Sequence, residues 1–342
     1  MQSNITSPFK TLQFIGTQRS GSNLLRLMLN QLPGVVAPHP PHILNTFFPL
    51  LEQYGELKVD ETFEALVYDI ADWVNMNPVP WEHYIDAERL LKLKTENSLV
   101  EVFRLVYESL ATANNAHTWV CKSMQNVNFV YEMEQNGLRP FYLHLYRDGR
   151  DVALSFKKAI VGPKHIYHLA KKWDREQKQA LALKGKLGEE RVISIAYEKL
   201  IASPEQVLKE ICFKTGLSFS TSALEYFKSV ESEKTAHSGE MWANVTKPVM
   251  QKNYNKYKTE LSDFEIAVFE KVAGTSLKRL GYQCETIPSA MSDFTRTQLK
   301  QFDVENQTLI RKTMANAKKA DLQKRENQKN MLENLKNKLL RA

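Results

Sequence analysis

The chain has 342 residues, 43% hydrophobic and 25% charged, which is enough to bury a full core and ordinary for a globular protein. Its three cysteines, Cys121, Cys212 and Cys284, are odd in number, far apart and without a C-x-x-C pair, which argues against a disulfide framework or a zinc site. The net charge of +7 is concentrated at one end: residues 291–342 hold 12 Lys/Arg against 6 Asp/Glu, leaving +1 for residues 1–290, so a nucleic-acid-binding body is disfavoured.

The first predicted strand is Leu12–Gly16, followed by a glycine-bounded loop and a helix over Ser22–Gln31 that stops before Pro33-Gly34. Gly16 and Gly21 have the G-x4-G spacing of a phosphate-cradling loop. Ser22 and Asn23, however, stand where a nucleoside triphosphatase needs Lys and then Ser or Thr, and the positive charge sits inside the loop at Arg19. Arg19, Ser20, Gly21, Ser22 and Asn23 can hold phosphate on backbone N–H groups and a helix N-terminus. The parts that hold Mg²⁺ and a γ-phosphate are missing.

After a second strand comes the proline-rigidified loop Ala37-Pro-His-Pro-Pro-His-Ile43, with His39 and His42. Residues 43–115 read as wholly helical and aromatic-rich, either packing a core of their own or forming a lid over the strand ends. Strand Thr118–Cys121 leads into Lys122. Strand Pro140–Tyr146 leads into Arg147-Asp-Gly-Arg-Asp and a helix that carries Ser155. A strand-end Arg with a hydroxyl from the next helix can pinch one phosphate. The same residues also fit a simple helix cap.

Further helices are expected over Lys164–Lys184, Pro204–Lys214 and Asp263–Ala273, with a strand at Arg191–Ile195. Gly281 should end the globular part, and residues 293–341, free of Gly and Pro, read as one long helix. Leu332, Leu335 and Leu339 form a short apolar seam on it, which could dock on the body or pair two chains. His144 reads as a core histidine, and His165 and His168 as surface residues at a helix start. Short strands alternating with helices predict an α/β protein with a central parallel sheet covered on both faces. The expected division is a body over 1–285, with its insertion at 43–115, and a basic helical extension over 286–342. With no apolar leader and no apolar run of 18 residues, the expected location is cytoplasmic.

The loop Gly16-Thr-Gln-Arg-Ser-Gly-Ser-Asn-Leu-Leu25, taken with Arg147 and Ser155, resembles the sulfotransferase superfamily, which uses 3′-phosphoadenosine 5′-phosphosulfate (PAPS). The loop is most similar to the branch of tyrosylprotein and carbohydrate sulfotransferases, and the expectation is a bacterial-type cytoplasmic member. The resemblance covers roughly residues 11–282 and implies a P-loop-type three-layer α/β/α fold. It implies that Arg19 to Asn23 bind the 5′-phosphosulfate, that Arg147 and Ser155 bind the 3′-phosphate, and that Lys122 contacts the sulfuryl or leaving oxygen. Ala196-Tyr-Glu-Lys-Leu-Ile-Ala-Ser-Pro-Glu205 and Lys247-Pro-Val249 with Asn253, Lys256 and Tyr257 look like two further family segments, placing Tyr197 and Lys256 near the cofactor. Two slots depart from the family: Met124 stands where cytosolic members carry histidine, and no carboxylate lies between Arg19 and Glu52.

The chemistry implied is in-line transfer of a sulfuryl group to a small-molecule, lipid or carbohydrate hydroxyl, without a metal ion. Arg19 and Lys122 would offset charge on the bridging oxygen. His39, with His42 as second choice, would take the hydroxyl proton. The alternatives are a P-loop small-molecule kinase, disfavoured by the missing Lys-[ST], and a catalytically inactive nucleotide-binding protein.

Overall fold

The computed structural model describes residues 8–287 and 292–340. Strands β1 (Lys10–Ile15), β2 (Val35–Val36), β3 (Thr118–Cys121), β4 (Phe141–Tyr146) and β5 (Val192–Ala196) form one all-parallel sheet in the order β2-β3-β1-β4-β5. Leu12 is paired with Val120 on one side and Phe141 on the other. Leu12, Phe14, Val120 and Leu143 are wholly buried, as strands covered on both faces require. One face packs on helix α1 (Ser22–Leu29) and on a helix over Pro204–Thr215, through Leu25, Leu27, Leu208 and Ile211. The other packs on the insertion, through Phe63, Ile70, Phe103 and Val106. This is the expected three-layer P-loop-type α/β architecture. Strands β2 and β3 lie on one side of β1 and β4 and β5 on the other, so the strand order reverses at β1, the place where a crevice opens at the C-terminal end of such a sheet.

The insertion is not wholly helical. Helices at Ile43–Phe47, Leu51–Tyr54, α2 (Asp60–Asn75), Ala87–Leu93 and α3 (Leu99–Ala113) are separated by breaks at Gly55, whose φ is 94°, and around Pro78 and Pro80. The second break does structural work: Asn77 Nδ2 and Trp81 Nε1 both donate to the His39 carbonyl, at 2.9 and 2.8 Å. The insertion therefore packs its own core and also holds the histidine loop.

The C-terminal part corrects three expectations. The long helix is two, α4 (Arg296–Ala315) and α5 (Lys319–Leu339), broken where Lys318 turns extended. Packing does not stop at Gly281, because the Glu270 carboxylate accepts from the backbone N–H groups of Glu285 and Thr286 at 2.9 and 2.7 Å. His165 is not a surface residue: its ring stacks on Phe302 at 4.5 Å and its Nε2 lies 3.2 Å from Glu305, both on α4. The Asn306 side chain clamps the same place by accepting from the N–H groups of Lys164 and His165. On α5, Leu335 is buried and Leu332 and Leu339 pack against the insertion core, so the apolar seam is covered by the chain itself rather than left for a second copy. His144, as expected, is a core residue, with Nε2 at 2.8 Å from Gln177. Among the described residues, no helix is long and apolar enough to cross a membrane.

Candidate active site

The loop after β1 depends on two glycines. At Gly16, with φ of 116°, a Cβ would stand 2.6 Å from the Leu145 carbonyl oxygen. At Gly21, with φ of 88°, it would stand 2.4 Å from the Tyr197 ring. Only residues without a Cβ fit both the left-handed backbone and the close approach. Arg19 also takes a left-handed φ, of 73°, as does His42 at 57°. Such conformations cost a side chain on the order of 1 kcal/mol and tend to concentrate at functional sites. Gly21 begins α1 without a side-chain cap, and the first turn has no acidic residue. The positive end of the helix is therefore available to an anion.

Around this loop lies a cleft of about 680 Å³. It is lined by Arg19, Gly21, Ser22 and Asn23 from the loop, His39 and His42, Lys122 after β3, Arg147 after β4, Ser155, Tyr197 and Lys256. The candidate residues thus converge from six separate stretches of chain. Ser20 is the exception, since its hydroxyl is buried and donates to the Thr17 carbonyl at 2.8 Å. It shapes the loop, and only its backbone could serve a ligand.

Arg19 Nε donates to Ser155 Oγ at 3.1 Å, joining the two motifs directly. Arg147 lies over the Tyr197 ring at 4.6 Å and donates to the Asn253 carbonyl at 3.0 Å. Asn253 Nδ2 in turn donates to the Tyr197 hydroxyl at 2.7 Å. Asp151 accepts from the N–H groups of Asn255 and Tyr257, pinning the 250s loop over this end of the cleft. Two buried polar atoms here, Asn23 Oδ1 and Arg147 Nε, have no hydrogen-bond partner among the described residues. Buried polar groups are rarely left unpaired: Arg147 Nε is a donor that a phosphate oxygen could take, whereas Asn23 Oδ1 is an acceptor and would need a donor.

Lys122 is buried, and its ammonium is pushed well below the usual lysine range by burial and by the charges of Arg26 and Arg19. Burial and the Arg147 charge lower the Arg19 guanidinium. Crowded cations of this kind are stabilised by a polyanion. Arg26, on α1, is fully buried and paired with Glu231 at 2.7 Å, and it donates to the Ala37 carbonyl at 2.8 Å. It ties the helix to the start of the histidine loop.

Both histidines are held neutral. Burial first, then the charge of Lys122, pushes His39 well below 6.5 and His42 down to about 3. His39 has no partner on either ring nitrogen among the described residues, and its ring contacts Trp242 at 5.0 Å. His42 Nδ1 lies 3.0 Å from Ser123 Oγ. The insertion contributes Asn45, Thr46, Trp73 and Asn77 to this end of the cleft, and the C-terminal helix α5 contributes Arg325 and Gln328. Sequence reasoning missed Trp242, Arg325 and Gln328, which belong to no motif and reach the cleft from remote segments.

Comparison with known proteins places the chain by family and by fold. The model of the sulfotransferase family matches residues 13–221, and the chain belongs to that family. The sulfotransferase domain of the Synechococcus PCC 7002 olefin synthase is 19% identical and superposes with a TM-score of 0.57, covering 80% of this chain and 94% of that one. A sulfotransferase domain from the curacin biosynthetic pathway gives 19% identity and a TM-score of 0.55, covering 80% and 98%. At that identity the likeness is one of fold. An "Uncharacterized protein" of Aquifex aeolicus (strain VF5) is 23% identical over 256 residues, 70% of this chain. The chain spans about a third of that relative's length, 32%.

Proposed function

We propose that the chain is a PAPS-dependent sulfotransferase that forms a sulfate ester on an acceptor hydroxyl. The observation that carries the reading is the pairing of two anion-binding features in one cleft: the uncapped α1 loop with Arg19, and Arg147 with Ser155 beside it. That pairing suits a nucleotide with phosphate at both the 5′ and 3′ positions. Arg19 and the N–H groups from Ser20 to Asn23 would hold the 5′ side. Arg147, through its unpartnered Nε, and Ser155 would hold the 3′-phosphate. Tyr197 and Lys256 line the same end.

When bound, the donor supplies the sulfuryl group: its sulfur–oxygen bond to the 5′-phosphate breaks as the acceptor oxygen bonds sulfur, leaving adenosine 3′,5′-bisphosphate. Lys122 and Arg19 offset charge on the departing oxygen. His39, neutral and without a hydrogen-bond partner among the described residues, accepts the proton of the acceptor hydroxyl. One observation favours His42 instead: Ser123 fixes its Nδ1 and so orients the ring. The acceptor side combines Trp73 and Trp242 with Asn45 and Asn77, which suits a small organic acceptor with flat or sugar-like faces. A cytoplasmic setting is part of the same reading.

Thermal unfolding tests the donor. Adenosine 3′,5′-bisphosphate at about 100 times its Kd should stabilise the protein by about 2.7 kcal/mol. ATP with Mg²⁺ should do less. An equal or larger shift with ATP would point to the kinase alternative, and binding without transfer to any hydroxyl would point to the inactive one.

The pH profile follows from the imidazoles. A base must be neutral to act, and a lowered pKa keeps it neutral to lower pH. The rate should therefore fall only as pH drops well below the ordinary histidine value of about 6.5. We expect kcat/KM for the donor to show no acid limb between about pH 6 and 8, because that parameter reports the free enzyme. An acid limb centred near pH 6.5 would contradict the buried, neutral histidines.

A further inference from the structure

The helix over Gly149–Lys158 supports two donor-side groups: Arg147 stands just before it and Ser155 lies on it. Its last residue and the turn that follows wall the cleft through Lys158, Ala159 and Val161. The Lys164 ammonium, itself buried, donates to the Phe156 carbonyl at 2.8 Å and to the Val161 carbonyl at 2.7 Å. A lysine on the last carbonyls of a helix pairs them and suits the negative end of its dipole. Burial first, then the charge of Arg19, pushes this ammonium down to about 8, so Lys164 lies within electrostatic reach of the phosphate loop.

What holds Lys164 comes from the C-terminal part, well beyond the stretch matched by the family model. Asn306 Oδ1 on α4 accepts from the backbone N–H groups of Lys164 and His165, at 2.8 and 3.1 Å. Of the described side chains of α4, only Phe302 and Asn306 are buried. With Glu305 they share one helix face, at i, i+3 and i+4. Phe302 and Glu305 meet the His165 ring, and Asn306 meets the backbone beside it. An apolar side chain would dock a helix without further demands, whereas a buried amide is tolerated only when it is hydrogen-bonded. The two bonds to Asn306 therefore fix the place where the next helix, Ile166–Leu187, begins. Without them two buried N–H groups would lose their acceptor, and the turn would have to move to find another.

We propose that α4 belongs to the donor site: Asn306 is a positioning residue that, through the backbone and side chain of Lys164, holds the Ser155 helix and the 158–161 turn against the 3′-phosphate of the nucleotide. This rests on the sulfotransferase reading for the identity of the nucleotide. Asn306 touches no ligand itself; it acts through Lys164 and the carbonyls of Phe156 and Val161.

The test titrates the full chain with adenosine 3′,5′-bisphosphate and with AMP by isothermal calorimetry. Asn306→Leu, which keeps the shape and removes the acceptor, should weaken the bisphosphate about ten-fold and AMP by less than about two-fold. Asn306→Asp, which can accept from both N–H groups, should stay within about three-fold of the unmodified protein. A second measurement does not depend on a variant folding. In the unmodified protein, saturating bisphosphate should slow amide hydrogen exchange over residues 159–165 by about ten-fold, because the coupling is reciprocal, and AMP should not. Equal losses of both nucleotides, no loss in Asn306→Leu, a loss that persists in Asn306→Asp, or unchanged exchange over 159–165 would each overturn the proposal. Failure of the bisphosphate to bind the unmodified protein would instead strike the donor reading, and the proposal with it.

Discussion

Replacing Arg147 with alanine is expected to weaken binding of adenosine 3′,5′-bisphosphate by about 10²- to 10³-fold, the worth of a desolvated guanidinium–phosphate contact of roughly 3–4 kcal/mol. The effect on AMP should be small. Arg147 is buried, its Nε is unpartnered among the described residues, and it lies in one cleft with Ser155 and Arg19. AMP keeps the 5′-phosphate on the loop and lacks only the 3′ group. It also serves as the internal control, because Arg147 supports the Asn253 carbonyl and the Tyr197 ring. Damage to that support would reduce both affinities together. Isothermal titration of the two nucleotides against wild type and Arg147→Ala separates the outcomes, and parallel losses would refute the 3′-phosphate role.

The second large effect concerns the base. His39→Ala should lower kcat by about 10²- to 10⁴-fold, the usual contribution of a positioned proton acceptor, with nucleotide affinity nearly intact. The substitution keeps the backbone carbonyl that Asn77 and Trp81 hold, so the loop retains its anchor. His42→Ala is the paired measurement. If turnover survives in His39→Ala and is lost in His42→Ala, the Ser123-oriented ring is the base. If both variants turn over normally, neither imidazole takes the proton.

Where local order carries the information, the reading from sequence and the structure agree closely. Thr118–Cys121 is a strand with the expected bounds, Phe141–Tyr146 starts one residue later than expected, and Val192–Ala196 is shifted by one residue at both ends. Short apolar runs followed by polar turns mark buried parallel strands because both faces of each strand must be covered. The second strand is expected before the histidine loop without bounds, because β2 is only Val35–Val36, too short for any periodicity to mark its ends. The breaks in the insertion escaped because its apolar spacing stays helical on both sides of Gly55 and Pro78. His165 looked like a surface residue because its cover, Phe302 and Glu305, comes from 137 to 140 residues further along the chain.

The candidate site divides along the same line. The glycine-bounded loop, the strand-end Lys122 and Arg147, and the two histidines were legible because each is set by its immediate neighbours: a left-handed turn, the end of a strand, a proline-stiffened loop. Those local constraints are what the proposed phosphate-binding chemistry rests on before any long-range contact is known. The Arg147 Nε left without a partner among the described residues, the lowered pKa of His39 and His42, and the arrival of Trp242, Arg325 and Gln328 at the cleft could not be read in this way. Burial, charge crowding and cleft closure arise from elements far apart in the chain, and no sequence period encodes which of them will meet.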